Sequence, residues 1–132
     1  MEEILKFLQE AKVFYLATVD GDQPRVRPMG FVMIYKGKLY FSTNNTKEMY
    51  KQMKANPKVE MCALGAENKT LRIHGKVAFD TEREAKVKAL ETSPNLQKMY
   101  NADDNIFTLF YFESAKAVIS EMRGGGKREF SL

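Results

Sequence analysis

The sequence predicts an α+β protein: mainly antiparallel β-structure with helices inserted between strands, closed as a Greek-key-like barrel. Three observations carry this. The polar turns Asp20-Gly21-Asp22 and Lys36-Gly37-Lys38 lie between runs of β-branched and aromatic residues, the pattern of antiparallel hairpins. Apolar Leu71, Ile73, Val77 and Phe79 alternate with polar Thr70, Arg72, His74 and Lys76, the period of a strand with one wet face. Five or more such strands with helices among them bury their edges most readily by curling into a barrel.

The elements follow in order. Ile4, Leu5, Leu8 and Ala11 share one side of a predicted amphipathic helix over residues 2–11. Three strands are predicted over residues 13–19, 25–35 and 38–43, joined by the two turns as a meander. Asn45 with Glu48 has the spacing of a capping box. It opens a short helix whose apolar stripe is Met49, Tyr50 and Met53, and Asn56-Pro57 stops it. Strands are predicted over residues 58–64 and 70–79. Thr81 with Glu84 is a second capping box, opening a charged helix through about Glu91, and Pro94 precedes another helical piece over residues 96–100. A long last strand, residues 107–122, is expected to bend or break at Glu113-Ser114, ahead of a flexible Gly124-Gly125-Gly126 hinge. The basic tail after it has three possible fates: disorder, pairing with a sheet edge, or reaching a partner subunit.

At 132 residues the expected organisation is a single domain, 1–132, with one core. Lys plus Arg number 21 against 17 Asp plus Glu, a modest excess that suits an anionic small ligand or nucleic acid without choosing between them. No apolar run approaches the length that crosses a bilayer, and the start of the chain lacks a signal-peptide pattern, so no membrane association is expected. Cys62 is the only cysteine and reads as a small buried hydrophobe. A reducing, cytoplasmic location is the corresponding expectation.

The richest candidate site lies where the third strand meets the next helix. Ser42 and Thr43 end the strand and the helix starts near Asn45 or Thr46, so hydroxyls and unpaired helix-start amides are expected to converge there on an anion such as phosphate. Lys47 adds charge, and Arg25 and Arg27 share a face of the second strand, offering forked donors. The plainer reading makes these residues turn, cap and solvated surface. His74, the sole histidine, cannot alone build a metal site or a triad, and the acidic residues form no spaced catalytic pair. The triple glycine lacks the spacing of a nucleotide-binding loop.

One ordered series ties the pieces together: Ala17-Thr18-Val19-Asp20-Gly21, then Pro24-Arg25-Val26-Arg27-Pro28, then Leu39-Tyr40-Phe41-Ser42-Thr43, then Lys47, then Asn56-Pro57-Lys58-Val59. It resembles the flavin-binding split-barrel proteins, the family of pyridoxamine phosphate oxidases and nitroimidazole-reductase-like proteins, over about two-thirds of the chain by pattern. The resemblance implies a split β-barrel, a homodimer with two flavin sites across its interface, and FMN as cofactor. The residues it implicates are Arg25, Arg27, Pro28, Met29, Ser42, Thr43, Thr46 and Lys47, with the flavin ring along Arg27, Pro28, Met29 and Gly30. Pro28 cannot donate to a sheet ladder, so its strand is expected at an edge or locally open.

Pyridoxamine phosphate oxidases are longer and hold the substrate phosphate with C-terminal arginine and histidine, whereas this chain has no histidine after His74. The reductase-like branch is therefore the expected one: an FMN-dependent oxidoreductase that passes electrons from a reduced nicotinamide to a small organic acceptor. Two alternatives stand beside it. One is a flavin carrier or sensor without turnover. The other is an OB-type single-strand nucleic-acid binder stacking bases on exposed Phe14, Tyr15, Tyr40 and Phe41. Specific nucleic-acid binding is not expected, because no contiguous basic stripe appears.

Overall fold

A computed structural model describes residues 1–121, 123 and 125–132 of the chain. Helix α1 (Glu2–Ala11) leads into β1 (Phe14–Asp20), β2 (Gln23–Met29), β3 (Met33–Tyr35) and β4 (Lys38–Asn44). Then come α2 (Glu48–Ala55), β5 (Lys58–Leu64), one 3-10 turn (Ala66–Asn68) and β6 (Lys69–Asp80). Helices α3 (Arg83–Thr92) and α4 (Pro94–Gln97) precede β7 (Phe107–Glu121) and β8 (Lys127–Ser131).

All strand pairs are antiparallel, in the order β2-β1-β5-β6-β7-β4-β3, with β8 added on β7. Three strands separate β1 from β4 in this order, yet the rings of Phe14 and Phe41 meet edge to face at 5.9 Å. The sheet must therefore curl round on itself, and the fold is a split barrel of the α+β class. Its interior holds Phe14, Leu16, Phe41, Met61, Ile73, Phe110 and Phe112, with Ile4 and Leu8 of α1 and Met49 and Met53 of α2 packed against them. Helices α3 and α4 cover the other face of β4 and β7 through Ala85, Ala89 and Leu96 against Tyr40, Phe107 and Leu109. Strand β4 is therefore buried on both sides, which explains its nearly continuous apolar run.

Both hairpin turns form where expected, with Gly21 (φ 64°) and Gly37 (φ 74°) in the left-handed region. The expected bend in the last strand is a bulge: Lys76 faces Ser114 and Val77 faces Phe112, so Glu113 is the extra residue of β7. The tail takes the second of its three fates, since β8 pairs with β7. Met122 and Gly124, in the expected strand end and hinge, lie outside the described residues.

Other expectations need correction. The first strands do not form a meander. The stretch read as one strand over residues 25–35 divides at residues 30–32, β2 pairs only with β1, and β3 crosses to the opposite edge to pair with β4. Neither capping box forms. The N-cap residues are Lys47 and Glu82, without side-chain cap bonds, and Asn44 and Asp80 instead accept the N–H two residues on. Phe14, Tyr40 and Phe41 are core residues and only Tyr15 of that set is exposed, which removes the stacking platform an OB-type binder would need. Cys62 is exposed rather than buried, because it falls on the outward face of β5.

Candidate functional site

The edge strand β2 and helix α2 meet through a buried polar knot. Arg27 shares the inward register with Leu16 of β1, and its guanidinium donates from Nη1 to Leu16 O (3.2 Å) and Thr18 Oγ1 (2.7 Å), and from Nη2 to Gln52 Oε1 (2.8 Å). The Thr18 hydroxyl donates to the same Gln52 oxygen at 2.6 Å. Thr18 and Gln52 are both buried. Every acceptor of Arg27 is neutral, and among the described residues it has no carboxylate partner. Burial alone holds its pKa below the ordinary value. Arg27 is thus a half-buried cation answered only by neutral oxygens, with Nε–H unclaimed among the described residues, and its charge is open to an anion.

A second set of unspent donors stands at the start of α2. Strand β4 ends at Asn44, whose Oδ1 accepts the N–H (3.0 Å) and the hydroxyl (2.6 Å) of Thr46, turning the chain into the helix. Lys47 occupies the N-cap in extended conformation and contributes no side-chain cap. Among the described residues the N–H groups of Glu48 and Met49 have no acceptor, while that of Tyr50 bonds Lys47 O. Those free amides carry the positive end of the helix dipole. Gln52 stands four residues into α2, about 6 Å along its axis from Glu48, so the helix itself links the Arg27 knot to the amide end.

The eight sequence-derived site residues do not all converge. Arg25 and Arg27 share the inward face of β2 as read, but Arg25 is exposed and paired with Asp20 at 3.2 Å. Pro28 sits on an edge strand, as its missing N–H required, and points outward opposite Tyr15, while Met29 is half-buried against the core. Ser42 and Thr43 face opposite sides of β4, so the picture of both hydroxyls aimed at one spot is corrected: Thr43 points into the barrel. Its buried Oγ1 has no hydrogen-bond partner among the described residues, an orphan one residue before the loop into α2. Thr46 and Lys47 are exposed at the helix start.

Sequence reading passed over Thr18, Asn44 and Gln52. Two of them left a trace: Thr18 takes the inward beat of β1 after Phe14 and Leu16, and Gln52 interrupts the Met49–Met53 stripe of α2. A polar residue at a core-facing position has a partner to find. His74 is exposed on β6, opposite Glu60 and Lys116. A cavity of about 1020 Å³ lies against α1 and a cleft of about 410 Å³ beside Tyr40 and Asp80, and none of the eight site residues lines either. The Arg27–Lys47 group is an open surface of one chain. No group of three or more metal-ligating side chains occurs among the described residues, and no described helix is long and apolar enough to cross a membrane.

The family model described as pyridoxamine 5'-phosphate oxidase matches residues 1–117. A NimC/NimA family protein from Clostridium acetobutylicum is 48% identical, with a TM-score of 0.95 over 100% of this chain and 93% of that one. A pyridoxamine 5'-phosphate oxidase-related, FMN binding protein from Nostoc punctiforme shares the fold at 14% identity and TM-score 0.68, covering 99% of this chain and 95% of that one. A heme binding protein from Mycobacterium smegmatis also shares it, at 15% identity and TM-score 0.70, over 95% of this chain and 57% of that one. No curated protein matches the sequence.

Proposed function

Because the chain belongs to the pyridoxamine 5'-phosphate oxidase family, we propose that it binds FMN and works as a small FMN-dependent oxidoreductase. In this reading electrons from a reduced nicotinamide reach a small organic acceptor. The observation that carries the reading is Arg27: a half-buried guanidinium with neutral partners only, tied through Gln52 to a helix whose first amides have no acceptor among the described residues. That donor set fits a phosphate monoester dianion, whereas the buried Thr43 hydroxyl faces the barrel interior and lies out of reach of a ligand on this surface.

Within this arrangement Arg27, Lys47 and the amides of Glu48 and Met49 hold the phosphate, and the exposed Thr46 hydroxyl fixes its register. The exposed backbone around Gly30, where an added Cβ would meet nothing nearer than Lys12 O at 3.8 Å, leaves room for a flat ring along the end of β2. The bound flavin would supply electron transfer in one or two steps, while the protein controls access and potential. A second copy of the chain would cover the ring that one open surface leaves bare, so a homodimer belongs to the proposal, as does a cytoplasmic setting where reduced nicotinamide is at hand.

The absorption spectrum of the purified protein, followed by titration of the stripped protein with FMN and riboflavin, tests the reading. Flavin bands and a clear preference for FMN support it. A Soret band with no flavin affinity, or equal affinity for FMN and riboflavin, overturns it. Oxidation of reduced nicotinamide by the loaded protein, stimulated by an acceptor, separates the enzyme from a carrier or sensor.

A further inference from the structure

The loop that leads into α2 is held from outside, by the segment that follows α4. Asn44 is the pivot. Its Oδ1 must face Thr46, whose N–H can only donate, so its Nδ2 is turned the other way and donates to the hydroxyl oxygen of Tyr100 at 2.8 Å. Next along the chain, Asn45 is clamped twice: its N–H donates to Ile106 O at 3.0 Å and its side chain donates to Asn105 O at 2.8 Å. The Lys47 N–H closes the turn on Asn44 O at 3.2 Å. Tyr100 is itself fixed, stacked on Phe107 with ring centroids 4.9 Å apart and planes 23° from parallel.

These contacts join residues 56 and 60 positions apart. They bear on Asn44 and Asn45, the two residues immediately before Thr46 and Lys47. We propose that Asn44 and Tyr100 are positioning residues that set the selectivity of the α2 site for a phosphorylated flavin over its unphosphorylated form. The inference rests on the flavin reading above. Without the Tyr100 hydroxyl, the Asn44 side chain is held by Thr46 alone, and the loop carrying Thr46 and Lys47 loses its tie to the segment after α4 at that point, loosening the geometry a phosphate needs. The ring of the ligand, lying along β2, does not depend on this loop.

The test titrates stripped wild type, Tyr100→Phe and Asn44→Ala with FMN and with riboflavin, checking each fold by circular dichroism. Tyr100→Phe keeps the ring stacked on Phe107 and removes one neutral hydrogen bond, so FMN affinity should fall about 3- to 10-fold while riboflavin affinity holds. Asn44→Ala frees Thr46 as well and should cost FMN more than Tyr100→Phe does. A wild type without preference for FMN sinks the flavin reading itself. A wild type that prefers FMN while Tyr100→Phe keeps the same preference, or loses both ligands in equal measure, overturns the positioning role.

Discussion

Arg27 and Gln52, 25 residues apart, share one hydrogen bond of 2.8 Å, and the Gln52 oxygen that accepts it also accepts the Thr18 hydroxyl. A carboxylate would suit that position better electrostatically, and glutamine stands there instead. The amide satisfies the guanidinium without neutralising it, which leaves Arg27 its charge for a ligand.

Gln52→Glu therefore should trade affinity for stability. The variant has the same shape, supplies the missing counter-charge, and converts a neutral acceptor into a charged one. Stability of the ligand-free protein should rise by about 1 kcal/mol, the difference between neutral and charge-assisted bonds less part of the carboxylate's desolvation. FMN should bind at least about 10-fold more weakly because Arg27 is already paired, with riboflavin much less affected. Denaturant unfolding and flavin titration read the two effects separately.

Lys47→Ala should act more gently. The side chain is exposed at the N-cap and adds a screened point charge beside amides that remain, so FMN should lose about 0.5–1.5 kcal/mol and riboflavin almost nothing. The deficit should shrink as salt is raised. An FMN affinity unchanged by the substitution at low salt would take Lys47 out of the phosphate site.

Much of the local structure was legible because its causes are local. Gly21 and Gly37 mark hairpins through a backbone conformation that few other residues tolerate, and the alternation from Leu71 to Phe79 fixes which face of β6 is wet. What failed depended on distant partners. The two strands within residues 25–35 belong to opposite sheet edges, and their separation at residues 30–32 serves a barrel closure that no short window reveals. Phe110 and Phe112 are buried in the barrel interior because β7 runs between β6 and β4, and Met33 of β3 is buried under α3 and α4, placements set by partners distant in the chain. The Asn44–Tyr100 bond spans 56 residues, and neither residue type announces the other.

Gly75 tests the β6–β7 junction beside the bulge. An added Cβ would collide with Ser114 O and lie 2.7 Å from Ala115 Cα, both backbone atoms that cannot swing aside. Gly75→Ala should destabilise the fold by about 2–3 kcal/mol, the cost of overpacking a well-formed contact. Gly126→Ala, with open space around its Cβ, is the control and should cost well under 1 kcal/mol. Equal melting temperatures for the two variants would mean the bulge yields more freely than its register implies.

The proposed subunit contact should be sought on the outer face of β1 and β2. Val26 of β2, Tyr15 of β1 and Leu64 of β5 are 69%, 46% and 61% exposed, and all point away from the barrel interior. Register places Val26 opposite Ala17, and Tyr15 opposite both Pro28 and Cys62, so β1 and β2 present an apolar outer patch bounded on β5 by Glu60, which faces Ala17. Apolar surface gathered on one sheet face is what a second copy would bury. Val26→Lys puts a charge on this patch without touching the core, and sedimentation should then show a monomer of near-normal secondary structure. If the partner covers the flavin ring, flavin affinity should fall along with dimerisation, although every phosphate contact of the first chain is intact. A Val26→Lys protein that sediments as a dimer and keeps its flavin would exclude this face from the interface.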